Sequence, residues 1–307
     1  MHLTFDWSTN LRRIRPPGTA TTDADDAQRG RWKRFPYGDR VYRYCGAALS
    51  GNWSRLHRGD REVYPDAGNL AGLLRANPAL AAHVPDPAAA AVGLQAAWRA
   101  YHAGDFADAV DRGLATGPAG IVVAARAALV HASRLEDDPL RRAEILRETV
   151  ASSAALLELA PNWANAWFVH GLALVGHCRQ VPLVTTLARG LGSRLRESLR
   201  RTLQLEPQHA DAHAALGIHC ADVIDKAGAM VGALTHGARR EAVVAHFEAA
   251  RALHPQSPVL LADYARALQR AGGGAGAVQA LWVDASACQP ADALERLDVE
   301  GARSELG

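Results

Sequence analysis

Three stretches of this chain share one spacing, and that spacing limits the fold more than any other feature. "LELAPNWANAWFVHGLAL" places Trp167 and Gly171 six and ten residues after Pro161. "LQLEPQHADAHAALGIHC" places His213 and Gly217 at the same offsets from Pro207, and "RALHPQSPVLLADYARAL" places Leu261 and Ala265 there after Pro255. The prolines stand 46 and 48 residues apart. Proline cannot continue the helix that precedes it, because it lacks an N–H and clashes with the preceding turn. A short polar link follows, and the next helix carries a large and a small residue four positions apart, hence on one face. The small residue lets a neighbouring helix approach the large one, so the pattern predicts helices packed in pairs. The helices before the prolines agree: Leu195, Leu199 and Leu203 fall at four-residue steps with arginines on the other side.

An earlier segment, "AAWRAYHAGDFADAVDRGL", carries Trp98, Tyr101, Gly104-Asp105-Phe106, Ala109 and Gly113, and "GIVVAARAALVHASRL" with "PLRRAEILRETVASSAALLELAP" completes another pair. On these residues the chain resembles the tetratricopeptide repeat family, whose repeat puts Trp, Gly and Pro at related places. The resemblance implies an all-α fold, an α-solenoid of tetratricopeptide-like helix pairs with long intra-repeat inserts. The inserts follow from length: the two later units exceed the usual repeat of about 34 residues by about 12 and 14. Their surplus falls in Gly176–Gly192 and Asp222–Gly237. Over Asn162 to Ala271, with the run "HADAHAALGIHCADVIDK", the chain also resembles bacterial tetratricopeptide-like proteins related to the regulator of microtubule dynamics family. That kinship implies a helical solenoid and a binding role, and does not extend to microtubules. The expected organisation is a flexible extension over 1–30, an irregular and partly helical region over 31–89, the solenoid over 90–287 and an acidic closing helix over 288–307.

Composition removes several other classes. A chain of 307 residues with 49% hydrophobic content can bury a large core. Cys45, Cys178, Cys220 and Cys288 form no CxxC pair, so neither a zinc ribbon nor a dithiol motif is written here. The start has no apolar stretch of the signal type, and no run approaches the roughly 18 apolar residues that span a bilayer. The expectation is a cytoplasmic protein without membrane insertion. Net charge is +2. The region from Met1 to Tyr64 holds an excess of arginines among Trp32, Phe35, Tyr37, Tyr42, Tyr44 and Trp53, a mixture that suits single-stranded nucleic acid. With no nucleic-acid motif and a pI near 8.4, the region is read as aromatics strapping a terminal segment onto the body.

The histidines of "LEPQHADAHAALGIHC" are the densest candidate for chemistry. His213 occupies the large slot that Trp167 fills one unit earlier, which makes it a packing residue with a hydrogen bond to a neighbour. His209 precedes the helix, the glutamate of HExxH is replaced by Ala210, and His219 and Cys220 point to different faces. The alternative is a metal-dependent module or enzyme with a histidine site between helices, built on His170, His177 and His213. No GxSxG or P-loop is present, "AGGGAGA" lacks a following Lys-Ser/Thr, and Asp222 with Lys226 reads as an i,i+4 ion pair. The sequence therefore assigns no catalytic residue, no metal ligand and no cofactor.

A solenoid binds on the face lined by the first helix of each pair, so the implied function is a non-catalytic scaffold for a protein or peptide partner. Counting from the large slots puts Asn165, Phe168 and Leu172, then Asp211, Ile218 and Asp222, then Val259, Arg266 and Arg270 on that face. A solvated polar face is the plainer account of both arginines, and reversing their charge is expected to leave the protein folded. The inserts either fold over one end of the groove or lengthen helices and cap the core.

Overall fold

The computed structural model describes residues 32–38, 42–228 and 238–307. Among them are fifteen α-helices and no strand. The expected extension over 1–30 lies outside the described residues, as does 229–237 of the second insert. Contacts divide the chain into two compact units, one of residues 1–53 and 63–180, the other of residues 54–62 and 181–307.

The first unit opens with short helices: α1 (Ala48–Leu56), whose last turn belongs to the second unit, α2 (Ala67–Ala76) and α3 (Pro78–Ala81). The pairs begin with α4 (Pro87–Ala103) and α5 (Phe106–Ala115). Asp86 caps α4 by accepting from the N–H groups of Ala88 and Ala89, Pro87 stands at its first position, and Gly104 ends it at φ 83°. Helix α6 (Ile121–Val130) crosses α5 so closely that a Cβ on Gly120 would collide with the Gly113 carbonyl. A single π turn, His131–Leu135, links α6 to α7 (Pro139–Leu159), and α8 (Ala164–Gln180) follows the turn after Pro161. Each helix packs on the next, and α4, α6 and α8 also pack on one another in order. That i, i+1 and i, i+2 pattern is what stacking helix pairs requires.

Aromatic residues of the basic N-terminal region are interior to this unit. Trp32 is buried with its ring 3.9 Å from that of His131, and the Lys33 N–H donates to His131 Nε2 at 3.1 Å. Trp53 meets Tyr64 and Trp98 edge to face. Among the described residues of that region, Trp32, Tyr42 and Trp53 are the buried aromatic anchors.

The second unit holds α9 (Leu183–Ala188), α10 (Leu191–Leu205), α11 (Ala210–Ala227), α12 (Arg240–Leu253), α13 (Pro258–Arg270), α14 (Ala275–Ala287) and α15 (Ala293–Leu306). Neighbours in sequence pack from α10 to α15, and α11 with α13, and α13 with α15, lie side by side. Three caps fix where the links end: His209 Nδ1 accepts from Ala212, Ser257 Oγ from Leu260 and Asp292 Oδ1 from Glu295. The slot logic holds at Gly217, where the Phe247 ring of α12 occupies the space a Cβ would take. Phe247 is fully buried and stacks on Tyr264 with 4.6 Å between ring centres. The part of the second insert that is described is the end of α11 and Gly228.

Candidate functional site

The repeat-derived candidates divide between the units. In the first unit Asn165 and Phe168 are buried, and the Arg126 guanidinium lies 5.3 Å over the Phe168 ring. Leu172 is half-buried against the cluster of Leu129, Ala132, Leu146 and Ala173. This side of α8 faces its own unit's core because α6 and α7 both pack on it.

In the second unit Ile218 is buried and Val259 half-buried. Asp222 and Arg270 meet, Oδ1 to Nε at 3.1 Å, and join α11 to α13. On the same stretch of α11, Lys226 Nζ donates to the Val181 carbonyl at 3.1 Å. Arg266 is no solvated charge. Its Nη1 donates to Asp263 and to Asp298, each at 3.0 Å, and its guanidinium lies 5.2 Å over the Trp282 ring. Asp298 is fully buried, so Arg266 joins α13 to α14 and α15 and its charge reversal would not spare the fold.

The histidines separate in the same way. His170 Nδ1 sits 3.2 Å from Ser153 Oγ in the first unit. His213 is half-buried with its ring 6.2 Å from that of His246, and burial lowers the pKa of both. The hydrogen bond expected at His213 is missing at Nδ1, which is buried with no partner among the described residues. Within those residues no three His, Cys, Asp or Glu side chains converge to hold a metal ion.

What the repeat pattern did not point to is the segment Ser54–Glu62. It carries no repeat signature, yet it lies within the second unit. His57 and Asp60, both buried, brace the segment internally, with His57 Nδ1 2.9 Å from Asp60 Oδ1. Its turn needs Arg61 at φ 54°, a backbone that side chains other than glycine rarely adopt. The Gly59 carbonyl accepts from the Asp211 N–H at 3.1 Å, and Gly59 lies against the Asp211 carboxylate with no room for a Cβ. The groove candidate Asp211 is therefore covered by the chain's own segment.

Beside this segment opens a cleft of about 960 Å³. Arg55 and Arg58 line one side, Arg251 and His254 the end of α12, and Asp284, Cys288 and Glu295 the α14–α15 corner. Arg58 Nε donates to the Leu253 carbonyl at 3.2 Å and Arg55 Nη2 to the Gln289 carbonyl at 3.4 Å. Arg251 pairs with Asp284 at 3.4 Å. Burial, then the Asp292 carboxylate, pushes Glu295 up to about 8 against the opposing pull of the Ala291 N–H and Arg55. Burial, then the Arg58 charge, pushes His254 down to about 4, and its Nδ1 is buried without a partner among the described residues. At neutral pH the cleft thus holds a protonated carboxyl, an uncharged imidazole and more positive than negative charge. An isolated Arg-His pair at 55–58 was visible in the sequence, but nothing there tied it to residues two hundred positions away.

No protein-family model matches the chain. No curated protein matches it either. Among solved structures it is similar to a thermophilic TPR (tetratricopeptide repeat) protein of Thermus thermophilus, with a TM-score of 0.51 and 16% identity, covering 70% of this chain and 99% of that one. The likeness is one of fold: the chain is all-α, an α-solenoid of tetratricopeptide-like helix pairs. No helix among the described residues is long and apolar enough to cross a membrane.

Proposed function

We propose that this protein is a non-catalytic scaffold that binds a segment of a partner protein through its tetratricopeptide-like pairs. The observation that supports this best is the open, polar cleft of the second unit, which reaches the first turn of α13 at Leu261 and is lined from three separate parts of the chain. Stacked helix pairs commonly hold extended or helical peptides on the face of their first helices. In this reading Asp222 and Arg270 contribute partly exposed surface in the second unit with Ile218 and Arg266 supporting it and Asp211 holding the segment 54–62, while Asn165, Phe168 and Leu172 serve the packing of the first unit. A cytoplasmic setting and kinship with the bacterial relatives of the regulator of microtubule dynamics family belong to the same proposal. The proline spacing and the run around His213 support the kinship.

The test is selection of a displayed peptide library on the immobilised full chain, followed by titration of the enriched peptides. Saturable one-to-one binding that survives a chelator is expected. Failure to enrich any peptide, or conversion of a bound peptide to product, would overturn the reading.

A further inference from the structure

The cleft of the second unit has a charge pattern that selects among ligands. Arg58 spends only its Nε–H on a carbonyl, which leaves the two-pronged Nη edge of an exposed guanidinium. Arg55, also exposed, spends one Nη2 hydrogen on the carbonyl of the opposite lip. Each arginine is thus tethered by backbone and still presents donors of the planar kind that grips an oxyanion through paired hydrogen bonds. The third, Arg251, has its charge balanced by Asp284. Burial, then the Asp292 carboxylate, raises Glu295 to about 8, so it adds little negative charge at neutral pH. The lining therefore carries an excess of about two positive charges, against the charge of about −1.5 to −2 on a phosphoryl monoester. A single carboxylate would balance only half of it.

We propose that this cleft binds a phosphoryl group carried on a segment of the partner protein, gripped by Arg55 and Arg58 with Arg251 at the rim. The proposal rests on the scaffold reading and adds the chemistry of what the scaffold reads.

The experiment uses the full chain and three fluorescent peptide pools with the same randomised flanks and a central phosphoserine, serine or glutamate, followed by anisotropy. The phosphoserine pool is expected to bind at least about tenfold more tightly than the serine pool, with glutamate between, the order that follows from charge and acceptor count. Arg55→Ala with Arg58→Ala should erase the preference while far-UV circular dichroism and the melting temperature stay those of the parent. Arg58→Lys, which keeps charge and size but loses the fork, should weaken phosphoserine binding several-fold and leave the serine pool unchanged. Equal binding of the phosphoserine and serine pools, or a preference that survives the double substitution, overturns the inference. Displacement of the phosphoserine pool by inorganic phosphate as readily as by unlabelled phosphopeptide overturns it too, by assigning the cleft to free phosphate. The scaffold reading fails separately, when no pool and no selected peptide binds at all.

Discussion

Gly217 offers the sharpest test of how the helix pairs hold together. A Cβ at this position would stand 2.7 Å from Cδ2 and Cε2 of Phe247 and 3.4 Å from the Cβ of His246. Favourable carbon contacts lie at roughly 3.5–4.0 Å. Phe247 has nowhere to swing, being 0% exposed with its ring stacked on Tyr264 at 2° between planes. Gly217→Ala should therefore force helix α11 away from α12, at a cost of about 1–3 kcal/mol for an overpacked core. Against this, alanine in a helix interior is better than glycine by about 1 kcal/mol. The two effects together leave a net loss of up to about 2 kcal/mol. Gly276 in α14 serves as the control, since it is exposed and nothing lies within 4 Å of the added carbon. Gly276→Ala should gain about 0.5–1 kcal/mol. In urea unfolding followed by far-UV circular dichroism, the midpoint should fall for the first substitution and rise for the second, with unchanged slopes. A Gly217→Ala protein that gains stability as Gly276→Ala does would refute the large-and-small slot reasoning.

Arg266→Glu should cost on the order of 3–5 kcal/mol by leaving buried Asp298 facing another carboxylate; an unchanged melting temperature would show that this contact holds nothing. His213→Leu should gain about 1 kcal/mol, because it removes a buried nitrogen without a partner. That gain should grow on acidification: burial lowers the His213 pKa from 6.5, so the parent loses stability as pH falls through and below that value and the leucine variant does not. A gain that shrinks on acidification, or stoichiometric metal in the parent lost in the variant, would contradict it. For Glu295 the sign is opposite. Its folded pKa is raised to about 8 from 4.5, so its stabilisation is complete below 4.5 and is lost as pH rises through about 8. The slope is at most about 1.4 kcal/mol per pH unit, and Glu295→Gln should remove it; a parent and variant with parallel stability profiles between pH 5 and 9 would show that Glu295 ionises freely.

The helices and their pairing were legible because the signals that set them are local. Proline after one helix, capping residues before the next and a glycine at the crossing all act within a few positions of where they stand. Gly171 and Gly217 could be matched by counting alone, and the turn at Gly104 announced itself by residue type. The proposed binding surface was not local. Phe168 and Ile218 occupy the counted groove positions, yet each is an apolar side chain that gains more from a neighbouring helix than from water, and both are buried. Arg266 looks solvated until Asp298, 32 residues on, comes to meet it. The Arg55 contact to Gln289 spans 234 residues. No periodicity encodes such a pairing, since Ser54–Glu62 joins the rest of the second unit through the Gly59, Arg58 and Arg55 hydrogen bonds rather than through a repeat.

If a partner segment docks on the second unit at the cleft beside Ser54–Glu62, hydrogen–deuterium exchange of the full chain with and without a saturating selected peptide will show where. Slowed exchange is expected in three stretches alone: residues 54–62, the α12–α13 link at 254–257 and the α14–α15 corner at 288–295. Protection elsewhere with these three unchanged would contradict it.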